Sequence, residues 1–309
     1  MDFLKSRSVG IEVAHSGIAA VLMHGNAESP VLDFTSYRSI PHDMLKITHR
    51  ELHVQKPDQF GRLLYDAWSA LDVKDARVSL SLPDSAGRIM LLDIEERWKN
   101  KEEAVDMIRW KLKKSLPLEM SDLHLDFQVL ERREEGETSI MAAVISRKVV
   151  KQYEDILEGA GIQADCIEFT SVSILKAFNQ IMNRAPNSAL FTFYDSTLGV
   201  MFFYDGVPSF FRFKSLPATS ASSSRVYMEV NNSLVAYRQR WPERLPGRII
   251  CLAPPESADE FRSIISELSG QESQLLEIRH IIRPGSLAPA EQAALFPFTS
   301  AIGAAMGRL

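Results

Sequence analysis

The chain has 309 residues, of which 45% are hydrophobic and 24% charged, and its net charge is −5. That length suits two ordinary domains or one larger two-lobed unit, and the composition is that of a globular protein. The negative balance gives no general attraction for nucleic acid, and the longest charged run, Glu131 to Glu137, reads as a solvated turn between strands.

Cys166 and Cys251 each sit in an apolar, strand-like run. They read as small buried residues of a reduced, cytosolic protein and not as a disulfide framework. The opening Met1 to Ser8 has no apolar core for a signal peptide. No window approaches the roughly 20 apolar residues of a membrane span, so the expectation is a soluble protein held at any membrane by a partner.

Along the chain, Ser8–Val13, Ile18–Met23 and Val31–Tyr37 predict a three-stranded antiparallel meander. Pro57 opens a helical pattern with Phe60, Leu64, Ala67 and Leu71 on one face. A second unit starts near Ala76, where Val78, Leu80 and Leu82 alternate with polar residues. A strand over Arg88–Ile94 follows, then a helix capped by Asn100 and stopped by Pro117. Strands over Leu123–Val129 and Ser139–Ile145 and a helix over Arg147–Gly159 complete this α+β unit. Ala164–Phe169 predicts another strand and Ser171–Met182 a helix.

The opening pattern then returns. Ala189–Phe193, Leu198–Tyr204 and Val207–Phe213 predict three strands, with Asp205-Gly206 as a hairpin turn. A helix carries Val226, Val230, Leu234 and Tyr237 on one stripe. Arg248–Leu252 predicts a strand, and Ser257–Leu268 and Thr299–Gly307 predict helices. The order of elements repeats although the residues do not, which suggests two similar α/β lobes; two unrelated α+β domains fit the same pattern.

Particular residues carry a resemblance. Glu102-Glu103-Ala104 through Ile108-Arg109-Trp110, then Leu116-Pro117-Leu118 and Leu125-Asp126-Phe127-Gln128-Val129-Leu130, resemble a stretch of the type IV pilus assembly protein PilM family. Leu80-Ser81-Leu82-Pro83, Arg147-Lys148-Val149-Val150 with Tyr153, and Gly161-Ile162 resemble its neighbouring segments, and Val9-Gly10-Ile11 resembles its opening strand. Glu229 to Tyr237 and Ile302-Gly303-Ala304-Ala305 resemble later helices of the family. The resemblance implies an α/β, actin-like fold of duplicated ribonuclease-H-like lobes, in the manner of the cell-division protein FtsA, with a small inserted α+β subdomain. It places the first lobe in residues 1–75 and 164–186, the inserted unit in 76–163 and the second lobe in 187–309. It also implies a cytoplasmic protein, peripheral at the inner membrane, that binds the cytoplasmic N-terminal tail of PilN, a single-pass membrane protein, in a groove involving the inserted unit.

An actin-like nucleotide site needs an Asp and a Gly in the turn after the first strand, an Asp-x-Gly turn in the other lobe, and a later Gly-Gly pair. Here the first turn reads Glu12-Val13-Ala14-His15-Ser16. The second reads Thr192-Phe193-Tyr194-Asp195-Ser196-Thr197, and the third Leu252-Ala253-Pro254-Pro255. Proline has no N–H to offer, and a tyrosine side chain fills space that glycine leaves open. The degenerate nucleotide positions are therefore Glu12, Ser16, Asp195, Ser196 and Thr197. The sequence predicts no cofactor and no ATPase activity, with ATP and Mg²⁺ kept as the alternative.

Other chemistry is sparse. His49 and His53 share one face if helical, the spacing of a zinc pair, but lack further ligands and read as a solvated surface pair. Thr219 to Ser224 reads as a loop ending in a helix cap. Trp110 lies off the Ala104/Ile108 stripe and, with Arg109 and Arg88, is the candidate partner surface; the alternative is a core tryptophan beside a surface charge. The resulting expectation is a scaffold of a pilus assembly. Its rivals are an ATP-binding switch of the same fold and a GspL-like component of type II secretion, a class that continues into a membrane helix beyond the point where this chain ends.

Overall fold

The computed structural model describes residues 7–73, 77–95, 97–113, 119–133 and 137–309. The expected opening residues 1–6, the boundary at Ala76, the Leu116-Pro117-Leu118 motif and the middle of the 131–137 turn lie outside them.

The predicted meander forms. β1 (Arg7–Val13), β2 (Gly17–Asn26) and β3 (Ser29–Ser39) pair antiparallel in sequence, and α1 (Pro57–Ser69) follows with Pro57 in its first turn. β4 (Arg77–Leu82) lies parallel beside β1. β5 (Gly87–Ile94), α2 (Lys101–Lys113), β6 (Leu123–Arg132) and β7 (Thr138–Ser146) then build a separate sheet of order β5-β7-β6. Asn100 caps α2 as expected, its side-chain oxygen accepting from the Glu103 amide at 2.9 Å. α3 (Arg147–Gly159) leads to β8 (Ala164–Phe169), which runs parallel beside β4. The helix expected over Ser171–Met182 is two pieces, α4 (Thr170–Ala177) and α5 (Asn179–Asn183). Buried Phe178 breaks it, its backbone leaving the helical region at φ −102°, ψ 14°.

The second half repeats the plan. β9 (Ser188–Tyr194), β10 (Thr197–Tyr204) and β11 (Val207–Ser215) form a meander, followed by α6 (Ser224–Arg240), β12 (Arg248–Leu252), α7 (Ala258–Ser269) and β13 (Ser273–Leu275). Ser223 caps α6 by accepting from the Val226 amide at 3.3 Å. β14 (Arg283–Pro284), α8 (Gln292–Leu295) and α9 (Thr299–Met306) close the chain. The sheets read β14-β3-β2-β1-β4-β8 and β11-β10-β9-β12-β13, the same order once β14 is set aside. That shared order establishes the duplication, which residue identity hides.

The repeat also corrects the inserted unit. In the second sheet β12 passes through one helix, α7, to β13. In the first, β4 passes through the small sheet and α3 to β8. The sheet partners of β4 are β1 and β8, and Val149, Tyr153 and Leu157 of α3 pack with Phe60 and Leu64 of α1. Both therefore belong to the first lobe, and the separate unit is β5 to β7 with α2. Its own core joins Ile108 and Leu112 to Ile94, Ile140, Ala142 and Val144.

Cores lie on both faces of both large sheets. One face of the first packs on α1 and α3, and one face of the second packs Val226, Val230, Phe261 and Ile265 of α6 and α7. A central core between the sheets joins Val21 and Met23 to Leu190, Met201 and Ile250 through α4 and α9. Although α9 comes last in the chain, it packs on β1 and α4 and so bridges the halves. Gly10 and Gly303 permit this: a Cβ on either would stand 1.8 Å from a backbone oxygen, of Ala301 and Ser173 respectively.

The histidine pair is also corrected. No helix spans His49 and His53. His53 is fully buried, its ring nitrogens 3.2 Å from the Tyr153 hydroxyl and 2.7 Å from the Thr48 carbonyl oxygen. It is a satisfied core residue, and burial holds its pKa below the ordinary value. Among the described residues no cluster of His, Cys, Asp or Glu is arranged to hold a metal ion, and no helix is long and apolar enough to cross a membrane. Cys251 is buried as expected, whereas Cys166 is half-buried on the edge strand β8.

Candidate functional site

Parallel strands of both sheets end at a shared cleft, where the β1–β2 and β9–β10 turns meet. Asp195 and Ser196 both have positive φ, 44° and 57°, the backbone of a tight hairpin turn that glycine and asparagine usually adopt. This turn aims the Asp195 carboxylate at the first lobe. The His15 amide donates to both its oxygens at 3.1 Å, and His15 Nδ1 lies 2.7 Å from Oδ2. The two turns that would flank a phosphate chain are thus clasped directly to each other.

Beneath the clasp, Glu12 is fully buried. The Tyr194 hydroxyl donates to Glu12 Oε2 at 2.7 Å and lies 3.2 Å from the Pro297 carbonyl oxygen. Among the described residues Glu12 Oε1 has no hydrogen-bond partner. Burial, with Asp195 nearby, drives the Glu12 carboxyl well above the ordinary carboxylate range, so it favours its neutral form. Asp84 is close by, pushed up to about 6 by burial despite hydrogen bonds from the Ser171 amide and hydroxyl. The Tyr194 ring packs 5.3 Å from that of Phe296.

What remains open is a pocket of about 530 Å³ lined by Ser16, Tyr37, Tyr194, Asp195, Pro254, Pro255, Glu256, Phe296 and Phe298 among others. Among the described residues no lysine or arginine lines it, and two carboxylates do. Its third wall begins with two prolines and so lacks the amides that a glycine pair would present. Ser16 Oγ lies 3.2 Å from the Tyr37 hydroxyl.

Of the five degenerate positions, Glu12, Ser16 and Asp195 converge on the cleft. Ser196 shapes the turn, its carbonyl accepting from the Leu216 amide at 2.7 Å. Thr197 is turned away, into a groove of about 390 Å³ between β5 and β11 that Arg88 and His49 also line. His15, Tyr37 and the Phe296–Phe298 segment escaped the sequence reading, because nothing local ties His15 to an aspartate 180 residues away.

A larger groove, about 620 Å³, lies between the inserted sheet and the first lobe. His124 and Ile145 form one wall, Val150, Leu157, Glu154 and Glu158 of α3 another, and β8 the third. β8 ends its sheet, and among the described residues no strand pairs with its outer edge. Arg109 and Trp110 line neither groove. Trp110 is 66% exposed, so the core alternative does not hold, and Arg109 lies 3.6 Å from Asp106 on the same helix.

The clasp makes a pH prediction. The Asp195 hydrogen bond raises the His15 pKa above its ordinary value of about 6.5. A raised folded pKa means that the charged clasp contributes fully below about pH 6.5 and is lost as pH rises through the folded value. The melting-temperature gap between the wild type and His15→Gln is therefore expected to be largest below about pH 6.5 and to shrink as pH rises through the raised His15 value. A gap that widens with pH contradicts this assignment.

Comparisons with known proteins agree with this architecture. The chain superposes on a chain of the PilM–PilN type IV pilus biogenesis complex with a TM-score of 0.77 at 16% identity, covering 97% of this chain and 98% of that one. It is similar, at TM-score 0.55 and 7% identity, to a Bacteroides thetaiotaomicron protein of actin-like ATPase fold and unknown function, with 89% and 93% covered. It is also similar to the cytoplasmic domain of EpsL, an inner-membrane component of the type II secretion system of Vibrio cholerae, at TM-score 0.53 and 12% identity, with 96% and 94% covered. No curated protein matches the sequence. These likenesses establish the actin-like fold. The sequence profile of the type IV pilus assembly protein PilM matches residues 10–195, well over half the chain, so the protein belongs to the PilM family.

Proposed function

We propose that this protein is a non-catalytic scaffold of a type IV pilus assembly, which grips the cytoplasmic tail of a PilN-like membrane protein and does not use its interlobe cleft for nucleotide. The carrying observation is the clasp: His15 and Asp195 join the two turns that a triphosphate would have to separate. The residues around it do not fit MgATP. Glu12 favours its neutral form and is held by Tyr194, so it makes a poor partner for Mg²⁺. Among the described residues no cation lines the pocket to meet phosphate charge.

The groove beside β8 is the place for the tail. It offers a strand edge unpaired among the described residues, the apolar side chains Ile145, Val150 and Leu157, and an acidic rim of Glu154, Glu158 and Asp165. An extended peptide with apolar residues on one side and basic residues at its ends matches all three. Calorimetry with the tail peptide is expected to give a Kd of about micromolar order. Glu154→Lys with Glu158→Lys, both exposed, is expected to weaken binding about tenfold with the melting temperature unchanged. Absence of heat for the wild type, or full affinity in the pair variant, sinks this placement.

The rival reading, an ATP-dependent switch, draws support from the remaining pocket of about 530 Å³ beside Ser16, and requires the clasp to part first.

A further inference from the structure

Away from the cleft, beside the turn of the β10–β11 hairpin, residues 237–248 read Tyr-Arg-Gln-Arg-Trp-Pro-Glu-Arg-Leu-Pro-Gly-Arg. Arg238, Arg240, Arg244 and Arg248 crowd into this stretch of an acidic chain, where Glu243 is the one carboxylate; Asp205 of the hairpin turn lies nearby, and Glu272 and Glu277 line a groove with Arg248. None of the four arginines is within ion-pairing distance of a carboxylate among the described residues, whereas Arg133, Arg212, Arg262 and Arg279 all pair. Arg238 is partly engaged at 3.4 Å with the Leu268 and Ser269 carbonyl oxygens.

The patch stands on a rigid base. Phe202 and Tyr237 stack in the core with ring centroids 3.6 Å apart, and Trp241 continues the column 5.4 Å from Tyr237. On the outside, the Arg240 guanidinium lies 4.3 Å from the Trp241 centroid and the Arg244 guanidinium 4.4 Å from that of Tyr204. Asn187 fastens the surroundings: its side-chain oxygen accepts from the Asp205 amide at 2.8 Å, and its main-chain oxygen from the Gly247 and Arg248 amides at 2.8 and 3.2 Å. Leu245 projects next to Arg244 and is 68% exposed.

We propose that this arginine–tryptophan patch is a docking surface for an anionic bilayer. A guanidinium held flat over a ring is a weakly hydrated cation suited to lipid phosphates. Tryptophan and tyrosine sit well at headgroup depth, and an exposed leucine adds an apolar contact just below it. The chain as a whole is net negative, so a clustered basic face would also set orientation at an anionic surface. Single-stranded nucleic acid pairs with arginine and aromatic groups too, but it stacks its bases on open ring faces. Here guanidiniums cover a face of Trp241 and of Tyr204. This inference stands apart from the peptide groove, which is built from other residues.

The test is sedimentation with vesicles of phosphatidylcholine containing about one third phosphatidylglycerol, beside vesicles of phosphatidylcholine alone. The protein is expected to sediment with the anionic vesicles only and to release as salt rises. Each arginine at such a surface contributes roughly fivefold to binding, so Arg240→Gln with Arg244→Gln is expected to weaken partition roughly twenty-fivefold. Should that pair melt early, Arg240→Gln alone is expected to weaken it about fivefold. A control pair of exposed arginines elsewhere, Arg62→Gln with Arg225→Gln, is expected to change nothing. Failure to bind anionic vesicles, equal loss in the control pair, or binding of single-stranded RNA without vesicle binding overturns the proposal.

Discussion

Gly303→Ala is expected to destabilise the protein by about 3 kcal/mol, although alanine is the better helix former by about 1 kcal/mol. The added Cβ would lie 1.8 Å from the Ser173 carbonyl oxygen and 2.6 Å from its carbon. Both are backbone atoms of α4, so no rotamer change relieves the clash; one helix has to move. α9 cannot retreat, because its other side lies on β1, where Gly10 makes an equally close approach to the Ala301 oxygen. The whole central core between the sheets hangs on this crossing, and a few kcal/mol is a large part of a typical stability of about 5–15 kcal/mol. Denaturant melts measure it. An unchanged midpoint would mean that α4 and α9 do not cross so closely, and the bridging role of α9 would fall with it.

Tyr194→Ala is expected to cost about 4 kcal/mol, the largest loss at the cleft. The ring is 5% exposed and packs on Phe296, and its hydroxyl is the side-chain partner of Glu12. Tyr194→Phe separates the two contributions. It keeps the ring and leaves Glu12 without that hydroxyl, at about 1–3 kcal/mol for a buried group deprived of its hydrogen bond. Because burial raises the Glu12 pKa, the loss should be small where the acid is neutral and grow as pH rises through that raised value. Melts of both variants at low and high pH check this. Wild-type stability in Tyr194→Ala would show that the ring is not part of the packed core, and the cleft would then have to be regarded as open.

The sequence displayed much of this architecture, for identifiable reasons. Apolar strand-like runs, with the Asp205-Gly206 turn in the second, marked both meanders, and the departures at Ala14, Tyr194 and Pro254 marked the cleft once set against the pattern a phosphate site requires. Membership of a sheet was less visible. Val78, Leu80 and Leu82 alternate like any half-buried strand, and nothing local says that their neighbours are β1 and β8 instead of β5. β13 and β14 have three and two residues, too short for a period to register. The exposure of Trp110 was legible from its place off the helix stripe, but its distance from both grooves was not. The arginines of 238–248 are conspicuous in the sequence, yet the aromatic column that arranges them appears only when Phe202, Tyr204 and Tyr237 come together.

The central claim is that side chains have closed the cleft to triphosphate, and a melting series with MgATP tests it most directly. At about 5 mM MgATP, a dissociation constant of several millimolar or weaker stabilises by less than about 0.5 kcal/mol, so the predicted result is essentially no shift in melting temperature. A saturable rise of several degrees, abolished by substituting Ser16 or Asp195, would contradict the account.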